Sequence, residues 1–185
     1  MNTPISGSVH ELPEGSRYEV IDGTPYVSPL PRCEHQSVCG AICAELYQWS
    51  RRLALGRAII APGIILGAAN EVAPDGIWIS GARLRQHYGA DGKLHGAPEL
   101  VVEVLSPGCA SAQRDRESKR TLYARIGVDE YWIADWRART VEVYRQEHGE
   151  LRLVATLAEG DTLSSPLLPG FAVSLAELWA DIVGR

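Results

Sequence analysis

Cysteine, basic charge and long apolar runs are all scarce in this chain, and each shortage closes off a class of protein. Only four cysteines occur in 185 residues. Cys33, Cys39, Cys43 and Cys109 show neither a paired C-x-x-C spacing nor the density of a disulfide scaffold. Cys33, His35, Cys39 and Cys43 lie close together, so a zinc site has to be weighed, but the spacing matches none of the usual structural sites. Cys39 and Cys43 are one helical turn apart beside Val38, Ile42 and Leu46, which reads as small thiols packed in a core.

No apolar run approaches the roughly 20 residues that span a bilayer. Residues 1–12 lack both a basic start and an apolar stretch, so they do not read as a signal peptide. A cytoplasmic location with no membrane partner is expected. Basic charge is also short: the net charge is −5 and the pI near 5.5. A protein that lives by non-specific phosphate contacts is usually basic, so nucleic-acid contact here calls for a local patch. Arg114, Arg116, Lys119, Arg120 and Arg125 are the candidates. Internal repeats, low-complexity stretches and any recognisable DNA-reading module are missing too.

What remains is enough for one domain over residues 1–185, with 1–12 expected to be flexible. Residues 17–21 (RYEVI) alternate as a strand, Asp22-Gly23 signals a tight turn, and 25–28 (PYVS) return as its partner. From Glu34 to Leu53, Val38, Ile42, Leu46, Trp49 and Leu53 recur at helical spacing. Residues 57–66 read as a strand interrupted by Pro62-Gly63, and 76–80 as another. Between Gly81 and Pro98 a short helix and loop are expected. LVVEVLS at 100–106 is a nearly continuous apolar run, typical of a strand buried on both faces.

Residues 112–126 predict one helix that carries its charges on one face and Leu122, Tyr123 and Ile126 on the other, ended by Gly127. Strands are predicted at 130–135, 140–145 and 151–157, the last two a hairpin around His148-Gly149. A final helix starts at Ser174, which has capping-box spacing with Glu177. This order gives a mixed α/β domain, its central sheet containing a parallel strand–helix–strand crossover.

Glu103 is the most informative residue. It sits among Leu100, Val101, Val102, Val104 and Leu105, where an unpaired carboxylate is costly to bury. A metal ion, a basic side chain or water at the strand's end has to compensate it. Asp75, at the mouth of the strand 76–80, can point into the same cleft, and two such acids can converge on a hard cation. Read alone, Pro74-Asp75 is a common turn, and Lys119 is a solvated lysine paired with Asp115 at i,i+4 on the face opposite Leu122 and Ile126.

Together these segments look familiar. ELVVEVLSP at 99–107, RDRESKRTLYARIGVDEYWIAD at 114–135, RYEVIDGTPYVSPLPRCEHQ at 17–36, APDGIWIS at 73–80 and LPGFAVSLAELW at 168–179 resemble the Uma-type restriction-endonuclease family of the PD-(D/E)XK nuclease superfamily. The resemblance runs in the family's order over residues 13–180. It implies a restriction-endonuclease-like α/β fold: a central mixed β-sheet flanked by helices, with N-terminal and C-terminal β-hairpins. It also implies a Mg²⁺ site, with Mn²⁺ as a substitute. Asp75 matches the aspartate of the Pro-Asp motif and Glu103 the second acid, both as metal ligands. The superfamily's lysine two residues later is Leu105 here, and Lys119 matches a lysine moved to the following helix. Glu19 and His35 fall in matching segments and form a second tier. Glu99 shares the face of Glu103 by strand alternation and reads either as a further ligand or as a solvated acid at the strand's beginning, and Asp115 reads as positioning Lys119 rather than binding metal.

The resemblance implies a Mg²⁺-dependent endonuclease hydrolysing DNA. Two other readings stay open: a nuclease-fold binding or assembly protein without catalysis, and a phosphoesterase acting on another substrate. A homodimer through the hairpin at 140–157 or the apolar C-terminal helix would supply paired active sites.

Overall fold

Asp22 and Gly23 stand at φ 49° and 75°, the left-handed values that a two-residue hairpin turn demands. They join β1 (Ser16–Ile21) to β2 (Thr24–Pro29). The computed structural model describes residues 16–180 and residue 182, without the side chain of Cys109. The expectation of a flexible stretch at 1–12 falls outside the described residues.

Helix α1 (Cys33–Leu53) buries His35, Val38, Cys39, Ile42, Cys43, Leu46 and Trp49 along one face, the stripe that its 3.6-residue period predicts. The single strand expected at 57–66 is two. Ala61, at φ 46°, and Pro62-Gly63 divide β3 (Gly56–Ile60) from β4 (Ile64–Ile65), and the two belong to different sheets. Strand β5 (Glu71–Val72) then pairs with both β1 and β4. Strand β6 (Gly76–Ser80) leads into α2 (Gly81–His87), whose first turn is capped by the Ser80 hydroxyl accepting from the Arg83 amide.

All five residues of β7 (Leu100–Val104) are buried. Next comes a continuous helical segment in three parts: α3 (Cys109–Arg114), a π-helical turn (Asp115–Lys119) and α4 (Arg120–Ile126). Gly127 closes it at φ 88°. Strand β8 (Glu130–Asp135) pairs with β7 in parallel, as the strand–helix–strand reading requires. The β9 (Thr140–Glu147) and β10 (Glu150–Leu157) hairpin follows, then the small β11 (Thr162–Ser164) and β12 (Ala172–Ser174) pair, and α5 (Leu175–Ala180).

The main sheet has six strands in the order β10-β9-β8-β7-β6-β3, mixed because β7 and β8 are parallel, and a second sheet runs β2-β1-β5-β4. One core lies between the main sheet, α1 and α5, built on Trp49, Trp78, Trp132, Phe171 and Trp179. The other packs α4 and the small sheet on the opposite face, around Leu122, Tyr123 and Tyr131. Strand β7 divides its side chains between them: Leu100, Val102 and Val104 face the first core, while Val101 and Leu105 face the second. By the same alternation Glu103 projects toward α4. The apolar stripe of α5 is consumed inside the first core, so of the two dimer surfaces expected from sequence only edge strand β10 stays open. Among the described residues no helix is long and apolar enough to cross a membrane.

Candidate active site

Gly76 pairs with Val102 across β6 and β7, so Asp75 and Glu103 are the next facing positions of that ladder. On an antiparallel pair such neighbours share a face with Cβ atoms about 4.5–5.5 Å apart. Strand alternation thus delivers both carboxylates to one cleft. Gly76 is required by the same geometry, because a Cβ there would lie 2.7 Å from Cys43 Sγ on α1.

Each acid is held differently. Asp75 Oδ1 accepts from Arg17 Nη1 at 2.9 Å, and Oδ2 accepts from the Val104 amide at 2.8 Å. Burial pushes this carboxyl up, but the His35 ring, the Val104 amide and the Arg17 guanidinium outweigh it and hold it at about 2. Glu103 Oε1 accepts from Lys119 Nζ and from the Tyr123 hydroxyl, both at 2.9 Å. Here burial wins over the pull of Lys119, and neighbouring Asp75, Asp115 and Glu19 add repulsion, so the carboxyl is pushed up to about 8.

Lys119 is only 2 % exposed. It lies on the buried face of its helix with Leu122 and Tyr123, one turn away, and not on the opposite, solvated face expected from sequence. Its ammonium sits 3.0 Å from Glu19 Oε1 and 3.7 Å from Asp115 Oδ1, besides its bond to Glu103. The surrounding carboxylates outweigh desolvation and raise its pKa. Glu19 also accepts from the Ala73 amide at 3.1 Å, which ties β1 to the segment that presents Asp75.

All the residues proposed from sequence except Glu99 line one cleft of about 240 Å³: Glu19, His35, Asp75, Glu103, Asp115 and Lys119. Glu99 precedes the other end of β7, where it accepts from the Ser80 amide at 2.9 Å and lies 3.4 Å from Arg83 Nε. The basic patch expected on the helix is dispersed. Arg116 pairs with Glu142, Arg120 covers the Tyr144 ring, and Arg125 pairs with Asp22. Of that set only Arg114 and the buried Lys119 reach the cleft, where Arg17 and Arg32 join them.

Sequence reasoning passed over Arg17 and Tyr123. Both were within reach: Arg17 shares the strand face of Glu19, and Tyr123 follows Lys119 by four residues on a helix. Cys39 was read as a core thiol, and it is buried in the first core. Its Sγ also lies with donor atoms of His35 and Asp75 in a group whose members are all within 4.8 Å of one another.

The family model described as "Uma2: Putative restriction endonuclease" matches residues 8–176. The chain belongs to this family. As an Uma2 family member it shares its fold with a solved protein of Anabaena variabilis ATCC 29413 described as a putative nuclease belonging to DUF820. The two are 18% identical, with a TM-score of 0.73 over 93% of this chain and 94% of that one. A looser likeness, with 13% identity and a TM-score of 0.44, relates 84% of this chain to 17% of the type IIG restriction endonuclease BpuSI. No curated protein matches. The Uma2 assignment bears out the nuclease family and the restriction-endonuclease-like α/β fold expected from sequence.

Proposed function

We propose that this chain is a Mg²⁺-dependent endonuclease that hydrolyses DNA phosphodiester bonds, with Asp75, Glu103 and Lys119 as its catalytic residues. The observation that carries the reading is the charge arrangement of the cleft. Its floor holds four buried carboxylates, Glu19, Asp75, Glu103 and Asp115, against one buried ammonium, Lys119. The half-buried Arg17 adds one further partner at the edge. Asp115 Oδ1 is buried without a hydrogen bond, and Glu103 is pushed up to about 8. A floor so rich in acid fits a divalent cation, which offsets the burial and the repulsion that raise Glu103. The rim carries the opposite sign through Arg17, Arg32 and Arg114, as a phosphate-binding entrance needs.

Asp75 and Glu103 would hold the ion, Mg²⁺ or Mn²⁺ in its place, through hard oxygen donors. When bound, such an ion polarises a phosphate oxygen and lowers the pKa of an attacking water. The remaining chemistry belongs to the chain. Lys119, fixed by Glu103 and Glu19, presents a charged donor to the water and to charge that develops on the phosphate. Tyr123 and Asp115 position that lysine and its partner. Arg17 and Arg114 bind the flanking phosphate, and Arg114 is steadied by the Tyr26 ring 5.2 Å below it.

A second reading, hydrolysis of a smaller phosphoester, is favoured by one observation: the cleft arginines converge on a single pocket instead of extending along a groove. The deciding experiment titrates Mn²⁺ and Mg²⁺ calorimetrically into the wild type and into Asp75→Ala/Glu103→Ala, with cleavage of plasmid DNA and of a simple phosphodiester assayed in parallel. Binding and DNA cleavage, both lost in the double variant, are expected. Hydrolysis of the small ester alone selects the second reading, and no metal binding in the wild type selects a non-catalytic binding protein. The open edge of β10, where Leu153 is 52% exposed, is the surface left for a homodimer. Sedimentation at micromolar concentration tests that part.

A further inference from the structure

His35 is 2 % exposed, and neither of its ring nitrogens has a hydrogen-bond partner. Buried imidazoles almost always donate from one nitrogen and accept at the other, because an orphaned buried polar atom is costly. Nε2 lies 3.2 Å from Asp75 Oδ2, a close approach without the alignment of a hydrogen bond. One helical turn along α1, Cys39 stands on the same face as His35. Its Sγ, a His35 nitrogen and an Asp75 oxygen all lie within 4.8 Å of one another.

This is a nitrogen–sulfur–oxygen donor set, chemically unlike the all-oxygen pair of Asp75 and Glu103. We propose that His35, Cys39 and Asp75 form a second metal site, one that takes a borderline transition cation such as Zn²⁺ or Co²⁺ and shares Asp75 with the oxygen-lined cleft. Thiolate and imidazole select such ions over Mg²⁺ by softness, and three protein ligands leave a coordination position open. Cys39 gives up its thiol proton to solvent when the ion binds. One of the two orphaned ring nitrogens then has a partner. Because Asp75 serves both sets, an ion held by His35 and Cys39 competes with Mg²⁺ for it.

The site depends only on the placement of these three side chains, so it can be tested apart from the nuclease reading. The probe is Co²⁺, added to the full chain in a Cys33→Ser/Cys109→Ser background so that Cys39 and Cys43 are the remaining thiols. One equivalent is expected to give visible d–d bands and a near-ultraviolet thiolate-to-metal charge-transfer band. Cys39→Ser should remove the charge-transfer band and keep the d–d bands. His35→Asn should weaken Co²⁺ binding by at least about 100-fold, and Glu103→Gln should leave the spectrum unchanged.

Circular dichroism checks that each variant folds. Should Cys39→Ser not fold, imidazole-nitrogen hyperfine coupling to Cu²⁺ in the unsubstituted site, absent in His35→Asn, reports the imidazole ligand, and a thiolate-to-Cu²⁺ charge-transfer band reports the sulfur. Co²⁺ that fails to bind, or that keeps its thiolate band in folded Cys39→Ser, overturns the proposal. Mg²⁺-supported DNA cleavage without a thiolate band would sink this site and leave the nuclease reading intact. The expected spectra with no cleavage under any metal would do the reverse.

Discussion

Lys119 Nζ and Glu103 Oε1 meet at 2.9 Å across a sequence separation of 16 residues. The contact is buried, and a parallel strand–helix–strand connection makes it. Two residues after Glu103 the strand carries Leu105, packed in the second core. Because the helical segment that carries Lys119 lies on the face of β7 from which Glu103 projects, Lys119 reaches the carboxylate from there.

That pairing makes the two partners unequal under mutation. Glu103→Gln keeps acceptor and shape, removes a carboxyl that is costly to ionise, and should fold as well as the wild type or better. Lys119→Met leaves buried Glu103 and Glu19 without their cation and should cost about 3–5 kcal/mol in urea unfolding. Under the proposed chemistry both lose DNA cleavage by about 10³-fold or more. Equal stability of the two variants would contradict the buried pair.

The pH dependence of stability follows from the two acids, with signs that oppose. Glu103 is raised to about 8 in the folded chain, so the stability linked to its proton is full below the ordinary carboxyl pKa and is lost as pH rises through 8. Asp75 is lowered to about 2, so its contribution is full above its ordinary value and is lost as pH falls through 2. With a chelator present, stability should peak near pH 4–5 and decline toward pH 8, by at most about 1.4 kcal/mol per pH unit from one proton. Thermal melts across this range check it. Glu103→Gln should flatten the alkaline limb, and Asp75→Asn the acid one.

Arg17 and Arg114 should contribute phosphate affinity rather than sequence preference. Replacing Arg114 with alanine is expected to weaken DNA binding uniformly across sequences and to lower the salt slope by about 1. Arg116→Ala, whose guanidinium is occupied by Glu142 at 2.7 Å, should leave the slope unchanged. Fluorescence anisotropy against salt concentration distinguishes them.

Gly76→Ala places a methyl group 2.7 Å from Cys43 Sγ. Overpacking of this kind costs about 1–3 kcal/mol, and the strain falls next to Asp75. Adding Cys43→Ala should recover most of the loss, a coupling that a double-mutant cycle in urea measures.

Much of the fold was legible locally. The turns at Asp22-Gly23 and His148-Gly149, the apolar stripe of α1 and the buried run of β7 all stand where their residues place them. The π-helical turn at Asp115–Lys119 was not, because a one-residue change in hydrogen-bond register leaves no mark on polar residues such as these. Arg17 shares a strand face with Glu19, but its bond to Asp75 could not be read locally: it spans 58 residues and depends on how the small sheet docks, which no local period encodes. Glu103 stood out because a carboxylate amid apolar neighbours is itself a signal, whereas Asp75, a common turn residue when read alone, gained its meaning from Glu103 and the family resemblance.

The sequence by itself determined most of the longer elements and which side chains are out of place in them, since turn chemistry and hydrophobic period act over a few residues. The tertiary structure decided that Lys119 is buried and not solvated, that Arg17 and His35 attend Asp75, and that Cys39 faces a carboxylate. Those outcomes depend on the order of strands in the sheet and on the reach of long side chains from packed helices, quantities that exist only once distant segments have come together.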